Sequence, residues 1–423
     1  MQDSFMDRIL SEERRFDLTE KPRHIRWFLK PLTWIFSYPT VWVHHVKICR
    51  DEGVRKLKPP FILLCNHNAF QDFKVATAAV FPHAPNYVIA IDGYLKREWL
   101  IKNIGSICKR KFTNDISLVR NMKHALSSKG IIGLYPEARY SLCGTNAILP
   151  RSLGKLIKYL NVPVATLLCH GHHINSPYWA LGDRKVHTTA DYSVLFTKEQ
   201  VSSLSIDEIN GRIKEVFHYD DFAWQRDNKV SVKYPKRAEG LHKVLYQCPA
   251  CKTEYEMESS ESELICRHCG KKWQMTEFGE LKAEDGQDIF THIPSWYEWE
   301  RKQVAKQISE GTYHFEKQST IMALPNPDRF IPMGKCILKH DMKGFHVNGT
   351  YRNQPYCIDI EAEGQYSVHI EYDYLGKYGD LVDLNTLNDT FYIMPEGTDF
   401  SVTKLSLATE ELFKYYEAQQ GRT

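Results

Sequence analysis

From about Phe61 to Leu168, short apolar runs (FILLC, NYVIAI, IIGLY, VPVATLL) alternate with longer stretches whose apolar residues recur every three to four positions. In SLVRNMKHALSSKG the residues Leu118, Met122 and Leu126 stand at i, i+4 and i+8, which predicts one apolar helix face. Strands alternating with helices predict an α/β layer with a largely parallel sheet. From Asp183 to about Tyr246 the chain is more polar and rich in helix signals. There SIDEINGRIKEVF offers Ser205 as a helix N-cap with Glu208 three residues on, and the stretch reads as a domain end plus linker.

After the helix-like SWYEWERKQVAKQI the period changes to two. KCILKHD, KGFHVNG, YCIDIEA, YSVHIEYD and DTFYIMPEG read as short strands separated by turns, an antiparallel sandwich or barrel, and ATEELFKYYEAQ closes the chain as a helix. Strands capped by one C-terminal helix resemble a pleckstrin-homology-like domain. The expected organisation is an aromatic, amphipathic region over 1–58, an α/β domain over 59–240, a cysteine-bearing ribbon over 246–275 and a β-rich domain over 295–423.

The chain's 423 residues suit two or three domains, and 43% hydrophobic with 25% charged residues excludes global disorder and a polytopic membrane protein. A formal charge of +3 is too weak a field to argue for nucleic acid, so an anionic ligand needs a local cluster. Eleven cysteines, four in two C-x-x-C pairs and the rest scattered through apolar runs, fit a reducing compartment. Cys49, Cys65, Cys108, Cys143, Cys169, Cys336 and Cys357 read as small buried hydrophobes. MQDSFMDRILSEERR lacks the apolar core of a secretory signal. Pro31 to Val46 is uncharged but shorter than the ~20 residues of a spanning helix.

Candidate chemistry begins in ILLCNHNAFQD. On one continuous helix His67 and Asp72 would lie about 140° apart, so the imidazole must sit in the strand-to-helix turn with the carboxylate reaching back from the first helical turn. That arrangement suits a base and its orienter. A later strand ends in IIGLYPEARYS, where Glu137 and Arg139 fall at the carboxyl edge of the sheet and Arg139 suits a phosphate. Between them, Lys109, Arg110 and Lys111 read as a solvated charge run when taken alone.

Together, Asn66-His67 with Asp72, the Gly105-to-Arg110 segment, Tyr135-Pro136-Glu137 with Arg139, and Val162-Pro163-Val164 resemble, in order, the four motif blocks of the glycerol-phosphate and lysophosphatidate acyltransferase family. The resemblance covers about residues 60 to 180. It implies His67 as general base, Asp72 as its orienter, and Asn66, Arg110, Glu137 and Arg139 as substrate-binding residues. It further implies acyl-coenzyme A or acyl-carrier protein as donor, with the carrier protein also a candidate partner, and conversion of lysophosphatidate to phosphatidate. The third block departs from the family's aromatic-Pro-Glu-Gly-Thr-Arg-Ser: Ala138 replaces Gly, Arg139 takes the Thr place and Tyr140 the Arg place. The alternative is a non-catalytic lipid-binding or scaffold protein derived from this fold.

A second constellation is Cys248, Cys251, Cys266 and Cys269, a C-x2-C pair, a 14-residue spacer and a second C-x2-C pair. The spacing fits a structural zinc ribbon, and the acidic SSESE within it opposes a nucleic-acid partner. His170, His172 and His173, with no carboxylate or cysteine at ligand spacing, read as a polar loop. In the N-terminal region Trp27, Phe28, Trp34, Phe36, Tyr38 and Trp42 lie among Arg23, Arg26, Lys30 and Lys47. Aromatics flanked by cations suit a lipid headgroup boundary, and equally a pair of helices packed on the catalytic domain, each on its own face. The expected location is cytoplasmic, peripheral on the inner face of a membrane, with a lysophospholipid acceptor.

Overall fold

The computed structural model describes Leu10 and residues 12–421. Chain contacts divide it into two units: an α/β unit of residues 17–109 and 115–232, and a second unit of residues up to 16, 110–114 and 233 onward.

The α/β unit is built on a seven-stranded sheet of β1 (Lys47–Arg50), β2 (Phe61–Cys65), β3 (Asn86–Ala90), β4 (Ile107–Lys109), β5 (Ile131–Leu134), β6 (Val164–His170) and β7 (Thr189–Phe196), in the order β1-β7-β6-β2-β5-β3-β4. Five strands, β6, β2, β5, β3 and β4, run parallel. β7 pairs antiparallel with β6, and β1 lies parallel to β7. The sheet is therefore mixed at one edge. TADYSVLF, within the stretch read as a linker, supplies the antiparallel strand, and its alternating pattern fits an outer position better than the unbroken apolar runs at the centre.

All five residues of β2 are buried. Ile62 and Leu64 face a core with Met122, Leu126 and Ile157, whereas Phe61, Leu63 and Cys65 face one with Val75, Ala76 and Ala79. A strand covered on both faces must be apolar at every position, as FILLC is. The helices on these faces include α1 (Lys30–Val43), α2 (Asp72–Ala79), α3 (Ile116–Ser127) and α4 (Ser152–Leu160). In α3 the predicted face of Leu118, Met122 and Leu126 is buried, and Asp115 caps its first turn by accepting the Ser117 N–H at 2.7 Å. The Ser205/Glu208 capping box opens a helix over Ile206–Val216.

Along α1 and the short turn Trp27–Leu29 before it, the aromatics divide. Trp34 packs on Phe81 at 5.0 Å between ring centres, while Trp27, Phe36 and Trp42 are 82%, 63% and 68% exposed. Among the described residues no helix is long and apolar enough to cross a membrane.

The second unit contains a four-stranded antiparallel sheet of β8 (Met257–Ser260), β9 (Glu263–Cys266), β10 (Lys272–Met275) and β11 (Leu281–Ala283). It also holds a seven-stranded antiparallel sheet of β12 (Phe315–Ala323), β13 (Ile331–Asp341), β14 (Gly344–Tyr351), β15 (Gln354–Glu361), β16 (His369–Glu371), β17 (Leu381–Asn385) and β18 (Thr390–Pro395), ordered β15-β14-β13-β12-β18-β17-β16. Helix Val402–Gln419 closes the described chain, longer than ATEELFKYYEAQ, because VTKLSL before it is buried too. An antiparallel sheet and a closing helix are the part of the pleckstrin-homology expectation that the structure shows. β12 and β17 carry no strong turn signals and are additions to the sequence reading. Of the seven cysteines expected in apolar surroundings, Cys49 is exposed on edge strand β1 and Cys357 is half-buried.

Candidate active site

The carboxyl ends of parallel strands gather polar groups because the loops leaving them converge there. β6, β2 and β5 are neighbours, so the segments following Cys65, Leu134 and His170 are brought together although they lie about 70 and 100 residues apart.

His67 sits in the turn after β2 and Asp72 opens α2, with His67 Nδ1 3.1 Å from Asp72 Oδ2. Asp72 is 1% exposed, and its Oδ2 also accepts the backbone N–H groups of Asn68 at 2.7 Å and Ala69 at 3.0 Å. Its Oδ1 lies 2.6 Å from Nδ1 of His172. Burial alone would push this carboxyl up, yet the hydrogen bonds from His172 and His67 hold it below the ordinary aspartate value. The His67 side chain keeps 21% exposure, and its ring centre lies 4.3 Å from that of Tyr135 and 4.0 Å from that of Tyr140. An imidazole with one nitrogen held by a buried carboxylate and an edge open to solvent can accept a proton on the other nitrogen.

The remaining sequence candidates bond mainly to the protein's own groups, the backbone foremost. Asn66 is fully buried; its Nδ2 donates to the Cys169 carbonyl and its Oδ1 accepts the Cys169 N–H, both at 2.8 Å, so its amide extends the β2–β6 ladder by one rung. Glu137 accepts the N–H of His67 at 2.9 Å and of Ala147 at 2.7 Å, and the hydroxyl of Tyr219 at 3.2 Å. Burial pushes its carboxyl up to about 7 against those donors. It pins the main chain at His67. Arg139 is buried and donates to the Tyr140 carbonyl at 3.3 Å.

The run Lys109, Arg110, Lys111 is split rather than solvated. Arg110 belongs to the second unit, where Nη1 donates to the Leu324 carbonyl at 3.1 Å and Thr390 Oγ1 at 2.8 Å, and Nη2 to the Pro325 carbonyl at 3.1 Å. Lys111 pairs there with Asp383 at 2.8 Å. Lys109 ends β4 in the α/β unit, where withdrawal from water pushes its ammonium pKa down, with Asp115 acting weakly the other way.

The CHGHHINSP segment is not a polar loop. β6 runs to His170, Gly171 turns the chain at φ +80°, and His172–Asn175 forms one helical turn in which His172 and His173 are fully buried. A Cβ on Gly171 would stand 2.5 Å from the Trp224 ring, so two independent constraints require glycine there. His173 packs edge-on against Trp179 at 5.0 Å, and burial pushes its pKa down to about 3. Donor atoms of Asp72, Cys169 and His172 lie within 4.8 Å of one another. A His-Asp spacing within one turn finds His67; the partnership with His172 has no local signal, because it depends on β6 lying beside β2.

In the second unit the four cysteine sulfurs lie within 4.8 Å of one another, with Cys248–Cys269 at 3.8 Å and Cys251–Cys266 at 3.7 Å. Tetrahedral zinc with Zn–S near 2.3 Å places its sulfurs about 3.8 Å apart, so the donor set fits a metal ion.

No family model matches this chain, and no curated protein matches it. Among solved structures it is similar to the 1-acyl-sn-glycerophosphate acyltransferase of Thermotoga maritima, at 14% identity and a TM-score of 0.35, covering 45% of this chain and 77% of that one. A score that low carries no argument, so the chemistry must be read from the residues.

Proposed function

We propose that the protein is an O-acyltransferase that moves a fatty acyl group from a thioester of coenzyme A or acyl-carrier protein to a glycerolipid hydroxyl, with lysophosphatidate as acceptor. The observation that carries it is the 3.1 Å contact of His67 with buried Asp72 at the carboxyl end of β2. His67 Nε2 takes the acceptor's hydroxyl proton as the oxygen attacks the thioester carbonyl. The tetrahedral intermediate collapses to the ester, expelling a thiolate that recovers the proton from the imidazolium. Neither an acyl-enzyme nor a metal is needed.

Lys109, half-buried where β4 ends at the carboxyl edge of the same sheet, is our candidate for the acceptor's phosphate, since Arg110 is bonded within the second unit. The exposed Trp27, Phe36 and Trp42 suit a membrane surface, where such an acceptor resides. The four-cysteine cluster takes structural zinc, remote from the chemistry in role.

A thiol-release assay with palmitoyl-coenzyme A and a panel of lysophospholipids tests the proposal. Release that depends on lysophosphatidate and is lost in His67→Ala is expected. No release with any acceptor, or release that survives His67→Ala, overturns it. The second reading, a lipid-binding scaffold, is favoured by the tyrosine rings against His67 and by the commitment of Asn66, Glu137 and Arg139 to the backbone. It predicts lysolipid binding without thiol release.

A further inference from the structure

Asp72 is an unevenly served carboxylate. Oδ2 receives two backbone N–H groups and His67, whereas among the described residues Oδ1 is met by His172 alone. An ionised carboxylate only accepts hydrogen bonds, so both imidazoles present Nδ1–H to it, and in the neutral tautomer this selects, Nε2 is the nitrogen without a proton. For His67 this exposes the basic nitrogen to an acceptor. For His172 it leaves Nε2 fully buried with no hydrogen-bond partner among the described residues.

We infer that His172 is a positioning residue: its Nδ1–H holds Oδ1 of Asp72 so that Oδ2 faces His67 and fixes the His67 tautomer, a role that presupposes the acyl-transfer chemistry proposed above. Without that donor, Oδ1 is a buried carboxylate oxygen with nothing to bind. The carboxyl then either rotates or takes a proton, and either change loosens its hold on His67. The donor reaches its place by a route that tolerates little variation. β6 pairs with β2, Gly171 turns the chain where a Cβ would meet the Trp224 ring, and His172 is the first residue of the helical turn that follows.

Two substitutions separate the donor from the bulk. In His172→Asn the amide nitrogen, one bond from Cγ like Nδ1, can still donate to Oδ1, while His172→Leu fills much of the space without a donor. His172→Leu should lower kcat about 10- to 100-fold with KM for palmitoyl-coenzyme A and lysophosphatidate within about twofold, and His172→Asn should recover kcat to within about threefold. Nitrogen-15 chemical shifts of His67 should report Nδ1–H in the wild type and His172→Asn, and a tautomer mixture in His172→Leu. Equal losses in the two variants, a change confined to KM, or His67 shifts unmoved in folded His172→Leu overturn the inference. So does loss of one metal equivalent from His172→Leu, which would make His172 a ligand with Asp72 and Cys169. If the wild type releases no thiol, the acyl-transfer proposal fails by itself, and the His67 shifts still decide whether His172 positions Asp72.

Discussion

The sheet-edge site and the four-cysteine cluster are both sets of converging side chains, assembled in opposite ways. The cysteines come from two local pairs, each fixed by a tight turn and 14 residues apart, so the donor set is complete within about 20 residues of chain. The site around Asp72 draws His67 from β2, Glu137 from β5 and His172 from β6, and exists only once three strands have paired. At the first, a bound metal ion would supply the energy of convergence; the second depends on a hydrophobic sheet that holds polar groups in place. Local assembly makes a constellation legible. Long-range assembly hides it and makes it depend on the core.

Metal removal should break this symmetry most strongly. Chelation is expected to unfold the β8–β9 ribbon locally, since a structural zinc site contributes on the order of 10 kcal/mol, while the α/β sheet keeps its protection. Hydrogen exchange read by mass spectrometry checks this: loss of protection confined to about residues 246–275 is expected, and uniform protection after chelation would show a ribbon that folds without metal. Next in size, His67→Ala should reduce thiol release about 10³-fold or more, leaving the melting temperature within about 2 °C and the zinc content unchanged.

Glu137 sharpens the contrast within the sheet-edge site, because it acts on the fold. Glu137→Gln offers an amide N–H to one of three donors, and should cost about 2–3 kcal/mol in denaturant unfolding. Its carboxyl is raised to about 7 in the fold, so the folded state favours the protonated form. Its contribution is largest below about pH 4.5 and declines as pH rises to about 7, by at most ~1.4 kcal/mol per unit. Asp221, raised to about 6, acts in the same direction. Asp72, lowered in the fold, acts in the opposite sense, its contribution being lost as pH falls below the ordinary aspartate value. Stability measured from pH 4.5 to 7 should therefore fall less steeply in Glu137→Gln than in the wild type. The smallest effect is expected at Ala138, which holds φ +56° where the family resemblance has glycine. Ala138→Gly should relieve strain and raise stability by up to ~1 kcal/mol, partly offset by the added freedom of the unfolded chain.

What the sequence disclosed follows the same division. FILLC, NYVIAI, IIGLY and VPVATLL became β2, β3, β5 and β6, because strands buried on both faces advertise themselves as apolar runs. The turn geometry of His67 and Asp72 was readable because it spans five residues. Glu137 was legible as a residue at the carboxyl edge, yet its partner is a main-chain N–H, which no side-chain pattern records. Arg110 illustrates the limit. Its cationic neighbours suggest a solvated run, but its guanidinium is paired with carbonyls more than 200 residues away. β7 was hidden by its polar half, and His172 by its dependence on which strands are neighbours.

The short excursion of residues 110–114 into the second unit sets a timetable for synthesis. Arg110 and the Thr390 hydroxyl it binds are 280 residues apart in sequence. At roughly 5–20 residues per second, a ribosome needs on the order of 15 to 60 s to deliver the partner after the arginine has emerged. Through that interval the chain between β4 and α3 carries a cation whose final acceptors do not yet exist, beside a sheet that can already form. The nascent protein is therefore expected to fold its first sheet early and to keep this loop open to chaperones or proteases until β18 has been made.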